Sequence, residues 1–395
     1  MILADRAVSD AAAAPVSPAV HWHILSGEYP PQPGGVSDYT RLVAVGLAGA
    51  GDGVTIWAPP CDEPEQTHPG VTVRRLPDRF GLRSLRVLGR EFDRAPEPKR
   101  WLVQYVPHAF GWKAANVPFC LWLRSRRRDS LWVMFHEVAY PSGAGYSIAE
   151  RGLAFVTRRM AAIVARSAQR VFVSIPAWGT LLESLAVPRA PIVWLPVVSG
   201  VPVVDDPIGT AEVRTRIGGG HPIVGHLGTY GGLIRPLLEA CVPGLLAATD
   251  SHLLLLGRGG ESMRDELVRR HPQLARRVHA PGQLSDADLS RHITACDVML
   301  QPYPDGVSTR RTTMMAALSH GRPVVTTSGR LTEPLWSACD AVILIPADRP
   351  ADLAPAAARL IADPTHRGQL AARSRALYAE RFDLAHTVET LRSAL

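Results

Sequence analysis

Proteins hold a phosphate with bare main-chain amides, helix starts and guanidinium groups, and three stretches of this 395-residue sequence supply such parts. In "EYPPQPGGVSDYT" (28–40), Gly34 and Gly35 stand between an apolar run and a helical pattern whose start is marked by Ser37 and Asp38. Two glycines suit a sharp turn of the chain as well as an anion approaching the backbone, and the stretch alone leaves both open. The second, "GHLGTYGGLIRPLLEA" (225–240), passes through Gly228-Thr229-Tyr230-Gly231-Gly232 into a helix with Arg235 on its first turn. "LLLLGRGGES" (253–262), with Arg258, fits a plain strand-to-helix turn.

The third stretch, "QPYPDGVSTRRTTMMAALSHGRPVVTT" (301–327), carries the most chemistry. Ser308 or Thr309 can cap the helix that follows, and Arg310 and Arg311 sit at its start. Cations there oppose the helix macrodipole unless an anion lies beside them. Ser308, Thr309, Arg310, Arg311 and Thr312 are therefore expected to hold a diphosphate.

His108, in "QYVPHAFGW", and His136, in "WVMFHEV", each follow an apolar run, where an imidazole can meet a sugar hydroxyl or pack structurally. Other chemistries lack their signatures. "HEVAY" has Tyr140 where a zinc-protease helix needs its second His, and the five cysteines show no ligand spacing, so no metal is expected. There is no GxxxxGK[ST] loop, no GxGxxG after the first strand, and no basic–aromatic interleaving of a nucleic-acid binder.

These loops need a scaffold that brings them together. Short unalternating apolar runs ("HWHILS" 21–26, "VTIWAP" 54–59, "WLVQYV" 101–106, "LWVMFH" 131–136, "RVFVSI" 170–175, "PIVWLP" 191–196) alternate with helical patterns such as 37–49 and 148–168, as strands buried on both faces of a parallel sheet do. After "VPVVDDPIGT" a second series begins, with strands expected at 222–228, 252–257, 278–282, 297–303, 322–328 and 341–346. The fold class is α/β: two doubly wound, Rossmann-like domains facing a cleft, with ligands at the carboxyl ends of their strands. The expected division is a flexible tail at 1–19, a first domain at 20–200, a linker at 201–210, a second domain at 211–375 and a helical segment at 376–395.

The net charge of +7 is concentrated in residues 1–200, which hold 22 basic and 16 acidic side chains. Basic runs at 79–94 and 122–132 suit an anionic partner or the solvated face of an amphipathic helix. The first twenty residues lack the pattern of a secretion signal and no apolar run approaches a bilayer span. With scattered cysteines, the expectation is a cytoplasmic protein, with peripheral contact at the inner membrane face as an option.

With these pieces in hand, the chain over residues 20–390 resembles the retaining, family-4 glycosyltransferases of the GT-B fold. "YPPQPGGVSDYT" is similar to that family's first loop, implying that Gly34 and Gly35 meet a donor phosphate, and "MFHE" to the segment whose histidine, here His136, touches the donor sugar. "APGQLSDADLSRHITACDVMLQPY" (280–303) implies base contacts at Gln283 and Leu284; "HGRPVVTT" matches a strand entry; and the last helix fits one that crosses back to the first domain. The family's Glu-x7-Glu pair falls at Ser308 and Ala316, neither of them acidic, and Gly231 and Gly232 replace its Arg-Lys pair.

The resemblance implies transfer of a sugar from a nucleotide diphosphate sugar to a sugar, a lipid-linked glycan or a small molecule, with no cofactor and no nucleic acid. His136, Arg310 and Arg311 would be catalytic. Gly34, Gly35, Gly228, Thr229, Tyr230, Ser308, Thr309 and Thr312 would hold the donor phosphates. Tyr39, His108, Glu137 and Asp305 would touch acceptor or sugar. A nucleotide-sugar 2-epimerase of the same architecture, or a binding protein without catalysis, is the alternative.

Overall fold

The computed structural model describes residues 19–64, 67–141, 143, 145–185 and 188–393. In the first domain the strands are β1 (His21–Ser26), β2 (Gly53–Ala58), β3 (Val71–Arg75), β4 (Lys99–Tyr105), β5 (Leu131–Phe135), β6 (Arg170–Val173) and β7 (Ile192–Trp194). They form one sheet in the order β3-β2-β1-β4-β5-β6-β7, and every pairing is parallel. Its helices are α1 (Gly35–Gly49), α2 (Leu82–Arg94), α3 (Val117–Ser125), α4 (Ile148–Ser167) and α5 (Pro176–Leu185). All five residues of β5 are buried, as expected of a strand covered on both faces. Helix α4 opens on a capping box in which Ser147 and Glu150 satisfy each other's backbone N–H.

The second domain has β8 (Ile223–Leu227), β9 (His252–Leu256), β10 (Val278–His279), β11 (Val298–Gln301), β12 (Val324–Ser328) and β13 (Ile343–Pro346), in the order β10-β9-β8-β11-β12-β13 and again parallel. Its helices are α6 (Pro207–Gly218), α7 (Arg235–Ala248), α8 (Gly260–Arg270), α9 (Asp286–Ala295), α10 (Thr312–Ser319), α11 (Pro334–Ala338) and α12 (Leu353–Ala362). Helix α6 starts inside the 201–210 stretch, with Asp206 accepting from Gly209 N–H as its cap. Strand β3, which no apolar run announced, is an edge strand in which exposed Thr72 and Arg74 alternate with half-buried Val71, Val73 and Arg75.

The last two helices, α13 (Pro364–Arg381) and α14 (Leu384–Ser393), carry the chain back. Helix α14 lies on α1 so closely that a Cβ on Gly46 would stand 2.6 Å from Val388 Cγ2. Arg392 Nε meets the buried Asp52 carboxylate at 3.2 Å, and Asp52 also accepts from Trp22 Nε1–H at 3.0 Å. Tyr378 Oη accepts from Ser199 N–H at 3.1 Å, tying the returning segment to the outgoing one. One apolar core runs from Trp22, Val43 and Trp132 in the first domain to Met299 and Met314 in the second.

In each sheet the order reverses between two neighbours, β1 and β4 in the first and β8 and β11 in the second. Open parallel sheets bind ligands at the carboxyl ends of the strands flanking such a reversal. The two reversals face each other here.

Candidate active site

A cavity of about 320 Å3 lies at this junction. The first domain lines it with Glu28, Gly34 and Gly35 after β1, with Val106, His108 and Ala109 after β4, and with His136 and Glu137 after β5; the second domain brings Arg310, Arg311 and Thr312. A Cβ on Gly35 would stand 3.9 Å from Thr312 Oγ1, so the two loops meet across the gap.

His136 is fixed from behind. Its ring lies 2.8 Å from Gln104 Oε1, its carbonyl accepts from Ser174 Oγ–H and Trp178 Nε1–H, and the edge of Tyr39 packs on it at 4.8 Å. Burial pushes its pKa down to about 3, so the imidazole is neutral at ordinary pH. With Nε2–H donating to Gln104, Nδ1 keeps the lone pair and can accept from a hydroxyl. Tyr39 itself is buried, and its own hydroxyl bonds to Thr387 of α14; it supports His136 and does not reach the cavity as a sugar contact.

The two arginines already face carboxylates of the protein itself. Arg310 lies 3.6 Å from Glu137 and 3.4 Å from Asp305, with its guanidinium 5.5 Å from the centre of the Trp178 ring. Arg311 faces the same Asp305 at 3.9 Å and stacks over Tyr303 at 4.8 Å, while Arg330 holds the far oxygen of Asp305 at 2.8 Å. Burial, with Arg311 adding to it against Glu137 and Asp305, lowers the Arg310 pKa to about 10; it stays a cation. The arginine pair is thus compatible with the start of α10 through the protein's own carboxylates, not through a bound anion alone. His108 sits 3.8 Å from Glu137, which therefore links His108 to Arg310 along the cavity wall.

Ser308 and Thr309 play a different part from the one expected. Both are fully buried. Helix α10 starts at Thr312, with Arg311 at the cap position. Thr309 N–H donates to Glu333 Oε1 at 2.9 Å. Its hydroxyl lies 2.6 Å from the same oxygen and 2.7 Å from the Ser174 carbonyl, and accepts from Trp194 Nε1–H at 3.1 Å. Thr309 O accepts from Val197 N–H at 3.0 Å. Thr309 therefore rivets the two domains, Ser308 Oγ is enclosed without a partner among the described residues, and neither is placed to touch a phosphate.

The glycine-rich loop after β8 stands apart from the cavity. Gly228 N–H donates to Leu256 O, Thr229 is exposed, and Tyr230 is buried at positive φ (54°) with its hydroxyl on the His226 and Leu256 carbonyls. Tyr230 shapes the loop and is not a phosphate ligand. Gln283 is exposed between β10 and α9, and Leu284 lines a separate cavity of about 850 Å3 along the edge strand β10 that shares no residue with the junction.

One residue missed in the sequence is Glu28. Gly34, at the cap of α1, has no side chain to satisfy the first amides, and neither Ser37 nor Asp38 does so. Ser37 Oγ–H instead donates to Gln32 O at 2.7 Å. Glu28 Oε1 reaches forward to accept from Val36 N–H at 3.1 Å and Ser37 N–H at 3.0 Å. The negative group on these amides is the chain's own carboxylate.

Two family models match the chain: glycosyl transferase 4-like domain over residues 34–197 and glycosyl transferases group 1 over residues 222–363. Among solved structures, sucrose-phosphate synthase from Thermosynechococcus elongatus is similar at 17% identity and a TM-score of 0.73, with 95% of this chain and 98% of that one covered. HepE of Anabaena in complex with UDP-glucose aligns at 17% identity and 0.65, covering 95% and 100%. WaaG, a glycosyltransferase involved in lipopolysaccharide biosynthesis, aligns at 14% and 0.63, covering 95% and 99%. These likenesses establish the shared two-domain fold. A search of the curated proteins finds no match.

Proposed function

The chain belongs to the group 1 glycosyl transferases of the GT-B fold, and from that premise we propose a retaining, metal-independent transfer from a nucleotide diphosphate sugar to an acceptor hydroxyl. The observation that carries this is the convergence of Gly35, Thr312, Arg310, Arg311 and His136 on one junction cavity, where both sheets reverse their order.

In this scheme the diphosphate lies between the Gly34–Gly35 edge and the start of α10. Arg310 and Arg311 exchange contacts with Glu137 and Asp305 for contacts with phosphate oxygens. The bond between the anomeric carbon and the phosphate oxygen breaks as an oxocarbenium-like centre forms, and the guanidinium charge stabilises the departing oxygen. The acceptor oxygen bonds to the same face of that carbon, and its proton passes to the departing phosphate oxygen. His136 Nδ1 accepts from a hydroxyl of the donor sugar and so fixes its orientation. Enclosure between the domains keeps out water that would hydrolyse the donor.

On the acceptor side, the first domain presents an amphiphilic rim. Leu82 (60% exposed), Trp112 (53%) and Ile148 (81%) stand at segment starts beyond the carboxyl ends of β3, β4 and β5. The exposed Arg83, Arg86, Lys113 and Arg151 lie beside them in sequence. Such a rim suits a lipid-linked acceptor at an anionic membrane surface. No helix among the described residues is long and apolar enough to cross a membrane. A thermal-shift screen over UDP-, GDP-, ADP- and dTDP-sugars tests the donor assignment, because a ligand that binds only the folded state raises its melting temperature. A flat response to all four refutes it.

A further inference from the structure

A helix opens with unpaired N–H groups that form an anion seat. At α1 that seat is divided. The inner N–H groups, those of Val36 and Ser37, end on Glu28 Oε1 at 3.1 and 3.0 Å, which leaves the Gly34–Gly35 edge to face the second domain. Glu28 reaches them only because position 34 lacks a side chain: a Cβ there would lie 2.2 Å from Glu28 Oε1 and 2.6 Å from its carboxyl carbon. The Gly34 backbone is extended (φ 177°), a conformation open to any residue, so the need for glycine is one of space. Glu28 lines the same 320 Å3 cavity as Arg310, Arg311 and Thr312. Its carbonyl accepts from Ser26 Oγ–H at 2.5 Å, which anchors the base of the loop.

We infer that Glu28 is a positioning residue of the donor site, an inference that rests on the donor assignment above. Its carboxylate fills the inner amides of α1, bars the diphosphate from that helix end, and confines it to the Gly34–Gly35 edge, against Thr312 and the arginines. A diphosphate seated on the inner amides would gain hydrogen bonds while moving away from the arginine pair. Glu28 therefore exchanges affinity for position. Its fixed charge in a small cavity also weakens the hold on the nucleoside diphosphate product and favours its release.

The test titrates UDP, GDP, ADP and dTDP into the full chain and into Glu28→Gln and Glu28→Ala by calorimetry, with melting temperatures alongside. Glu28→Gln keeps an oxygen that accepts from both amides, so its melting temperature should stay within about 2 °C of wild type. It should nevertheless bind the preferred diphosphate at least about threefold more tightly, because a like charge has gone. Glu28→Ala frees the amides and should bind more tightly still. The gain should shrink as salt rises, since the effect is electrostatic. A residue that served only as a helix cap would leave the Glu28→Gln affinity unchanged. Unchanged or weaker binding by folded Glu28→Gln overturns the inference while the donor assignment stands. A wild-type chain that binds none of the four diphosphates overturns the donor assignment, and this inference with it.

Discussion

Replacing Gly34 by Ala tests the architecture of the first loop without any ligand. The new methyl group would lie 2.2 Å from Glu28 Oε1, closer than any real contact, so the carboxylate has to leave the Val36 and Ser37 amides. Losing a side-chain acceptor at a helix start costs about 1–2 kcal/mol. Against this, Ala at an unstrained extended position (φ 177°, ψ 150°) reduces the freedom of the unfolded chain. That gain is roughly 0.4–1 kcal/mol. The net expectation is a loss of about 1 kcal/mol in the wild-type background, a fall of about 2–4 °C in melting temperature for a domain of this size. In a Glu28→Ala background the clash is gone, and the same substitution should be neutral or stabilising, giving a coupling of about 1–2 kcal/mol. Urea unfolding followed by tryptophan fluorescence is well suited, because eight of the nine tryptophans precede residue 200. Equal costs of Gly34→Ala in both backgrounds would refute the assignment of Glu28 to the helix start.

Further outcomes follow from the same geometry. Arg310→Ala and Arg311→Ala should each weaken nucleoside diphosphate binding about tenfold or more by calorimetry, the scale of a lost charge-assisted hydrogen bond; wild-type affinity in both would remove their phosphate role. His136, held neutral with a pKa near 3, should contribute no step to a pH–rate profile between pH 5 and 8, and a His136-dependent inflection near 6.5 would contradict the burial described. Buried His23, His136, His226 and His320 have folded pKa values near 3, 3, 4 and 4, below the unfolded value of 6.5. Their stabilising contribution is complete above pH 6.5 and is lost on acidification, at up to about 1.4 kcal/mol per group per pH unit. Melting temperature should therefore fall steeply from pH 6.5 towards 4.5, and a flat profile there would count against it. Vesicles rich in phosphatidylglycerol should carry the chain upward in flotation, and Leu82→Ser/Trp112→Ser should abolish this while sparing nucleotide binding; equal flotation on neutral vesicles would rule out the basic rim as the cause.

The parallel sheets were legible because runs such as Leu131–Phe135 are apolar without alternation, and the structure buries every one of those residues. The edge strand β3 was hidden because three of its five residues are polar. At the site, legibility depended on the distance to a partner. Asp305 lies five and six residues before the arginines it faces, within sight of the sequence, whereas Glu137 reaches Arg310 from the other domain. Ser308 and Thr309 carried the marks of a helix cap, yet Glu333, 24 residues after Thr309, claims its amide and moves the helix start to Thr312. The Glu28 contact had one local trace: a glycine at the cap of α1, which needs its acceptor from elsewhere.

The return of α14 to α1 sets the order in which the polypeptide can be completed. The first half is synthesised first, but the piece that covers Gly46 and meets Asp52 leaves the ribosome only after the whole second domain. Until then the nascent half exposes an apolar strip along α1 and a carboxylate short of one of its partners. Its final consolidation has to wait for the whole second half, so a chain terminated early, or split at the linker into two genes, should yield a first half that aggregates unless the tail is supplied in trans.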